Sequence, residues 1–146
     1  MAGKQVNIQV FNQSETSLPL SQSDYENLTK AVSREEDISF KFIEVVYVDE
    51  EEIVNINKEH LDRDYITDII TFRYSDSTDF HHIEGTLYCC APRIVEQAQE
   101  FNETKEQEFK RIFVHGLLHL AGYDDQSDEA KKTMTIKENF FLSGLG

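Results

Sequence analysis

The residues best suited to chemistry lie in one short stretch near the end of the chain. His115 and His119 are four residues apart, so on a helix they share one face and their imidazoles can bind one ion. Gly122 is suited to ending that helix and letting the chain turn back. Asp125, six residues after His119, can then return to the ion with a carboxylate oxygen. Two nitrogens and one oxygen leave a tetrahedral zinc ion with one open position, which is typical of a catalytic site.

Two alternatives to this metal site follow from the same residues. The neighbouring Asp124 is the other candidate for the third ligand, although the spacing favours Asp125. The histidines could instead be core residues, but each buried imidazole would then need a hydrogen-bond partner. Packing does not explain two histidines at helical spacing followed by Gly122 and two aspartates. We therefore predict one metal ion held by His115, His119 and Asp125.

The hydrophobic pattern predicts the elements that position this stretch. Alternating or β-branched runs predict strands over 6–11, 40–48, 69–74 and 83–90. Capping residues and helical spacing predict helices from Ser23 to about Arg34, after Asp49, from Pro92 to about Phe101, from Thr104 to Gly122, and from Ser127 to about Leu142. We expect an α+β fold in a single domain over 1–146. It would contain a small mixed four-stranded sheet flanked by about five helices, with the metal site on the C-terminal helices.

Composition narrows the class of protein. The net charge is -14, from 28 acidic and 14 basic residues, which opposes non-specific binding to nucleic acid or to an anionic membrane. No apolar run is long enough to span a membrane, and the first residues do not resemble a signal peptide. The adjacent Cys89 and Cys90 suit a reducing compartment and are interpreted as small residues on opposite faces of a buried strand, with metal ligation as the alternative. We expect a cytoplasmic protein.

The stretch from His115 resembles the YbeY family of bacterial endoribonucleases, whose pattern is HGxLHLxGYDH. The chain matches at His115, Gly116, Leu118, His119, Leu120, Gly122, Tyr123 and Asp124, and has Asp125 where the family usually has His. Weaker matches are Asn57, the TDIITF segment at 67–72, Gly85 to Leu87, 95–98, Met134 and Glu138. The resemblance implies a zinc-dependent hydrolase that cuts single-stranded RNA in 16S rRNA maturation and ribosome quality control. Its partners would be rRNA and the small ribosomal subunit, with one zinc ion, no nucleotide cofactor and no membrane.

The chain departs from the family pattern at residues that matter for RNA. Leu61 stands where the family commonly has an arginine, and Arg63 or Arg73 is the candidate to meet phosphate in its place. Thr86 replaces the family's aspartate after Gly85. Asp68 is interpreted either as a group that orients a ligating histidine or as a turn cap.

Several other polar residues could have either a functional or a purely structural role. Lys105, Lys110 and Arg111 form the best local basic cluster or a solvated helix face. His81 and His82 are a possible source of a fourth ligand or exposed loop residues, and His60 suits the end of a helix.

Two other functions fit part of the pattern. The spacing HxxxHxxGxxD is also that of metzincin peptidases, but these need a glutamate directly after the first histidine, and Gly116 stands there. A non-catalytic, metal-stabilised ribosome-assembly factor is the second alternative, because the sequence identifies no general base.

Overall fold

The computed structural model describes residues 7–76 and 78–144, and in these ranges the chain forms four strands and five helices. In chain order they are β1 (Asn7–Asn12), α1 (Gln22–Glu36), β2 (Phe40–Val48), α2 (Glu50–Leu61), β3 (Ile69–Arg73), β4 (Ile83–Cys90), α3 (Ala91–Glu100), α4 (Lys105–Leu120) and α5 (Asp128–Leu142). The strand order is β1-β2-β4-β3. The expected α+β fold with a mixed sheet and a helical C-terminal part is confirmed.

The sheet is parallel except at one edge. β2 pairs in parallel with both β1 and β4, whereas β3 pairs antiparallel to β4. The two central strands are largely buried because helices cover both of their faces. Cys89 packs in the larger core and Cys90 in the smaller core on the opposite face, and both are free thiols. The interpretation of the cysteines as buried strand residues is therefore confirmed.

Helix α4 packs closely on the sheet beside the predicted metal ligands. At Gly116 an added Cβ would lie 2.8 Å from Ile69 Cδ1 and 2.9 Å from Leu87 Cδ1, so glycine permits this approach. The helix begins at Thr104, whose hydroxyl accepts from the Gln107 backbone N–H at 3.1 Å. The close contact at Gly116 fixes which face of α4 carries His115.

Several element boundaries differ from the sequence-based prediction. The N-cap of α1 is Ser21 rather than Ser23, because Ser21 and Asp24 form a reciprocal capping box of side-chain and backbone contacts. β3 ends at Arg73 instead of Tyr74. The prediction for Val6 lies outside the described residues, and within them no helix is both long and apolar enough to cross a membrane.

Candidate active site

The three predicted metal ligands come together at the end of α4. His115 Nε2 and His119 Nε2 are 3.0 Å apart, and Asp125 Oδ2 lies 3.6 Å from the first and 4.0 Å from the second. Tetrahedral zinc with bonds of about 2.0–2.1 Å would separate its ligand atoms by roughly 3.3–3.4 Å. The three observed distances bracket that value. The donor set, two imidazole nitrogens and one carboxylate oxygen, therefore fits a metal ion such as zinc.

A carboxylate on the last helix supports the first histidine. The Nδ1–H of His115 donates to Glu138 Oε2 at 2.7 Å, which leaves Nε2 facing His119 and Asp125. Glu138 is buried, and its other oxygen lies 3.3 Å from Arg111 Nη1. Such carboxylate–histidine pairs orient metal ligands and raise their basicity.

The loop after α4 turns Asp125 toward the histidines. Gly122 adopts φ +106, a conformation that side chains disfavour, and the Tyr123 N–H donates to Leu118 O at 3.0 Å. Asp124 is exposed, and its Oδ1 accepts from the Gln126 backbone N–H at 3.1 Å. Asp125, and not Asp124, is thus the carboxylate that lies beside both imidazoles.

A second set of contacts ties this loop to distant elements. The Tyr123 hydroxyl donates to Glu36 Oε1 at 2.5 Å, and Lys137 Nζ donates to Glu36 Oε2 at 2.8 Å. Lys137 also lies 4.8 Å from the centre of the Tyr123 ring, within cation–π range. Helices α1 and α5 therefore hold the loop that carries Asp125.

The two histidines have pKa values displaced in opposite directions. Burial by itself lowers the pKa of His115, but the hydrogen bond and charge of Glu138, with the charges of Asp68 and Asp125, raise it above its ordinary value. Burial lowers the pKa of His119, and the neighbouring charge of His115 adds to that effect. The opposite displacements follow because two adjacent imidazoles resist carrying two protons at once.

A cleft of about 320 Å³ opens beside His115 and Asp125, between α3, α4 and α5. Its lining includes the acidic residues Asp68, Glu108, Asp125 and Glu138, and the basic residues Arg111 and Lys131. Arg111 faces Glu138, Glu103 at 3.7 Å and Glu108 at 3.8 Å, so carboxylates already surround its charge. The cleft is therefore acidic where an RNA phosphate would need positive charge.

The two arginines suggested for phosphate binding, Arg63 and Arg73, lie outside the cleft. Arg73 donates to the backbone oxygens of Leu120 at 2.6 Å, Asp76 at 2.8 Å and Asp79 at 2.6 Å, so its guanidinium braces the end of α4 and a loop. Arg63 is exposed and does not line the cleft. Neither arginine lines the cleft beside His115 and Asp125.

The other candidate residues have contacts of their own outside the three predicted ligands. Asp68 lines the cleft but accepts from Gln97 Nε2 at 3.0 Å, so it acts on His115 through charge while Glu138 supplies the orienting hydrogen bond. In the basic cluster, Lys110 pairs with Glu106 at 3.2 Å. His82 contacts Asp79 at 3.3 Å, and the ring centre of His60 lies 5.1 Å from that of Phe72.

The sequence indicates Glu138 only as a match to the family's last helix and does not predict its contact with His115. The only signal in the chain was an acidic residue at a position that faces α4, and helical spacing alone does not pair two helices.

Comparisons with known proteins find chains that are similar to this one over most of its length. A family model described as Endoribonuclease YbeY matches residues 9–146. A protein named Endoribonuclease YbeY from Chlorobium phaeobacteroides (strain BS1) is 34% identical over 140 residues, covering 96% of this chain and 98% of the relative. One of the same name from Ureaplasma parvum serovar 3 is 38% identical over 122 residues, covering 83% and 79%. The solution structure of TM1509 from Thermotoga maritima matches with a TM-score of 0.60 and 29% identity, over 92% of this chain and 86% of that one.

Proposed function

Because this chain belongs to the YbeY endoribonuclease family, we propose that it cleaves single-stranded RNA with one zinc ion held by His115, His119 and Asp125. We further propose that the whole chain, 1–146, is one domain that acts in the cytoplasm on 16S rRNA. Its role there would be rRNA maturation and ribosome quality control at the small subunit. Membership of this family supports RNA cleavage.

One observation carries the proposal. The three ligand atoms all lie within 4.8 Å of one another, and Glu138 holds the far nitrogen of His115. The buried charge of Glu138 is paired on both sides, by His115 through one oxygen and by Arg111 through the other. It is the arrangement that metal-binding histidines ordinarily show.

The residues around the centre divide the work of hydrolysis. Zinc bound there would supply Lewis acidity toward a phosphate oxygen and would make a water molecule acidic. Glu138 keeps the proton of His115 on Nδ1, so that Nε2 faces the centre. Asp68 lines the same cleft, and burial raises the pKa of its carboxyl. We therefore propose Asp68 as the group that takes a proton from water.

The test combines metal content with RNA cleavage. We expect the purified protein to contain about one zinc per chain and to cut a single-stranded RNA. His115→Ala and Asp125→Ala should lose both zinc and cleavage, whereas His60→Ala, a histidine outside the cluster, should keep both. Wild-type protein without zinc would overturn the metal assignment, and cleavage that persists in zinc-free protein would overturn the mechanism.

The alternative of a non-catalytic assembly factor is favoured by one specific observation. Of the cations that line the cleft, Arg111 is surrounded by carboxylates, and the chain carries a net charge of -14. Zinc bound at full occupancy without cleavage of any RNA would favour this function. Peptidase chemistry is not proposed, because Gly116 lies where the general base would be needed, and Ile69 and Leu87 leave no room there for a side chain.

A further inference from the structure

An exposed aromatic ring stands at the rim of the cleft beside the metal ligands. Phe101 is the C-cap residue of α3, is 60% exposed, and lines the same cleft as His115 and Asp125. Ile112 and Met134, both buried, form apolar parts of the same lining. Single-stranded RNA is commonly held by bases that stack on such exposed aromatic rings.

Two residues that line the cleft, Gln97 and Glu108, each have a buried oxygen that accepts no hydrogen bond. Within the described residues, Glu108 Oε1 and Gln97 Oε1 are buried and have no hydrogen bond. Gln97 Nε2 donates to Asp68 Oδ2, which identifies the other atom of the amide as the free acceptor. Glu108 is only 1% exposed, and its Oε1 lies 3.8 Å from Arg111 Nε, which is too far for a hydrogen bond. Buried acceptors are normally satisfied, so this pair calls for a donor.

We infer that the cleft binds one nucleobase of the RNA strand, with its face on Phe101 and its amino edge toward the oxygens of Gln97 and Glu108. The inference rests on the proposed function, since it places that base next to the phosphate held at the metal centre. Cytosine and adenine present an amino donor on the edge where uracil presents a carbonyl oxygen. The site therefore prefers amino-bearing bases over uracil.

The same arrangement supplies a physical reason for single-strand preference. A base in a duplex is stacked on both faces and uses its amino group in pairing, so it can neither cover Phe101 nor reach the two oxygens. The protein is acidic and attracts RNA phosphates only weakly. Stacking on Phe101 does not require positive charge, so it can contribute to RNA binding in this cleft.

The test measures equilibrium binding of short RNAs to the zinc-loaded, full-length protein. Fluorescence anisotropy would compare cytidine and uridine hexamers at pH 8 for wild type, Phe101→Ala, Phe101→Trp and Glu108→Gln. Phe11→Ala, an exposed phenylalanine on β1 that does not line the cleft, is the matched control. We expect tighter binding of the cytidine hexamer, weakened about tenfold in Phe101→Ala and retained in Phe101→Trp and Phe11→Ala.

Glu108→Gln distinguishes base reading from stacking alone. Its amide can donate to the uracil carbonyl, so the preference for cytidine should shrink while overall binding persists. Equal binding of both hexamers by wild type, or unchanged affinity in Phe101→Ala, would overturn the inference. Cleavage of the same RNAs is measured in parallel: binding with the expected preference but no cleavage would contradict only the proposed catalysis, and cleavage without any preference would contradict only this base site.

Discussion

Glu138 Oε2 lies 2.7 Å from His115 Nδ1, so a carboxylate on α5 determines which nitrogen of a histidine on α4 faces His119 and Asp125. The same glutamate meets Arg111 through its second oxygen. Its charge is therefore balanced on one side by the guanidinium and used on the other side by the imidazole. The two C-terminal helices thus form one unit at the site.

Glu138→Gln should weaken zinc binding without unfolding the protein. The amide keeps the shape but loses the charge that holds the Nδ1 proton, and loss of such a supporting carboxylate costs about 10–100-fold in metal affinity. Competition with a chromogenic chelator measures this change. Glu129→Gln, an exposed acidic residue on the same helix, is the control and should bind zinc like wild type. Equal affinity in all three proteins would show that Glu138 plays no part in metal binding.

Asp125→His should keep zinc and RNA cleavage. Histidine is an equally ordinary zinc ligand, and the Asp125 side chain is 38% exposed, so the loop has room for an imidazole. Asp124→Ala should also keep zinc, because that carboxylate accepts a turn hydrogen bond instead of facing the histidines. The zinc content of both variants shows which aspartate is the third ligand. Zinc lost from Asp124→Ala but kept in Asp125→Ala would move the third ligand by one residue.

Arg73→Lys should reduce stability while leaving the KM for RNA unchanged at saturating zinc. Lysine cannot reproduce the fork of hydrogen bonds from Arg73 to three backbone oxygens. Loss of these bonds should lower the free energy of unfolding by about 1–3 kcal/mol. Denaturant titration measures it, and Arg63→Lys should remain within about 0.5 kcal/mol of wild type. A raised KM with unchanged stability would instead support phosphate binding by Arg73.

Glu108 should make stability depend on pH. Burial raises the pKa of its carboxyl from 4.5 to about 7 against the lowering effect of Arg111, with Glu103, Asp68 and Glu138 adding to the rise. Folding therefore favours the protonated form. The contribution of this group to stability is fully present below pH 4.5 and is lost as the pH rises toward 7.

Glu108→Gln removes that dependence because its side chain does not ionise. Relative to wild type, the variant should gain about 1–3 kcal/mol of unfolding free energy at pH 8 and clearly less at pH 5. Denaturant titrations of both proteins at each pH allow the effects of other groups to cancel. The same difference at both pH values would refute a shifted Glu108.

Local patterns explain what could be predicted from the sequence. His115, His119 and Asp125 belong to one helix and its following turn, where spacing alone brings side chains together. The bounds of β2, β4 and α5 also followed from continuous runs with clear ends. The sequence predicts the N-cap of α1 at Ser23, two residues after the observed Ser21. Both serines are suitable caps, and only the contacts between Ser21 and Asp24 identify the one that begins the helix.

The supporting contacts could not be predicted because they join residues far apart in the chain. Glu138 meets His115 across 23 residues, and Arg73 reaches Leu120 across 47. Helical spacing shows which face is apolar but not which helix covers it. The sequence leaves Asp68 as either an orienting group or a turn cap, and in the structure its carboxylate accepts from Gln97 while Glu138 accepts from His115.

The contacts from Tyr123 and Lys137 to Glu36 can form only when the last part of the chain has been translated. They span 87 and 101 residues, and Lys137 and Glu138 both lie on α5. During translation, a nascent chain that exposes the two histidines still lacks the helix that orients one of them and anchors their loop. Contacts of such long range form late in folding. The ribosome-bound chain would thus hold His115, His119 and Asp125 without the contacts of Glu138 and Lys137 that support them.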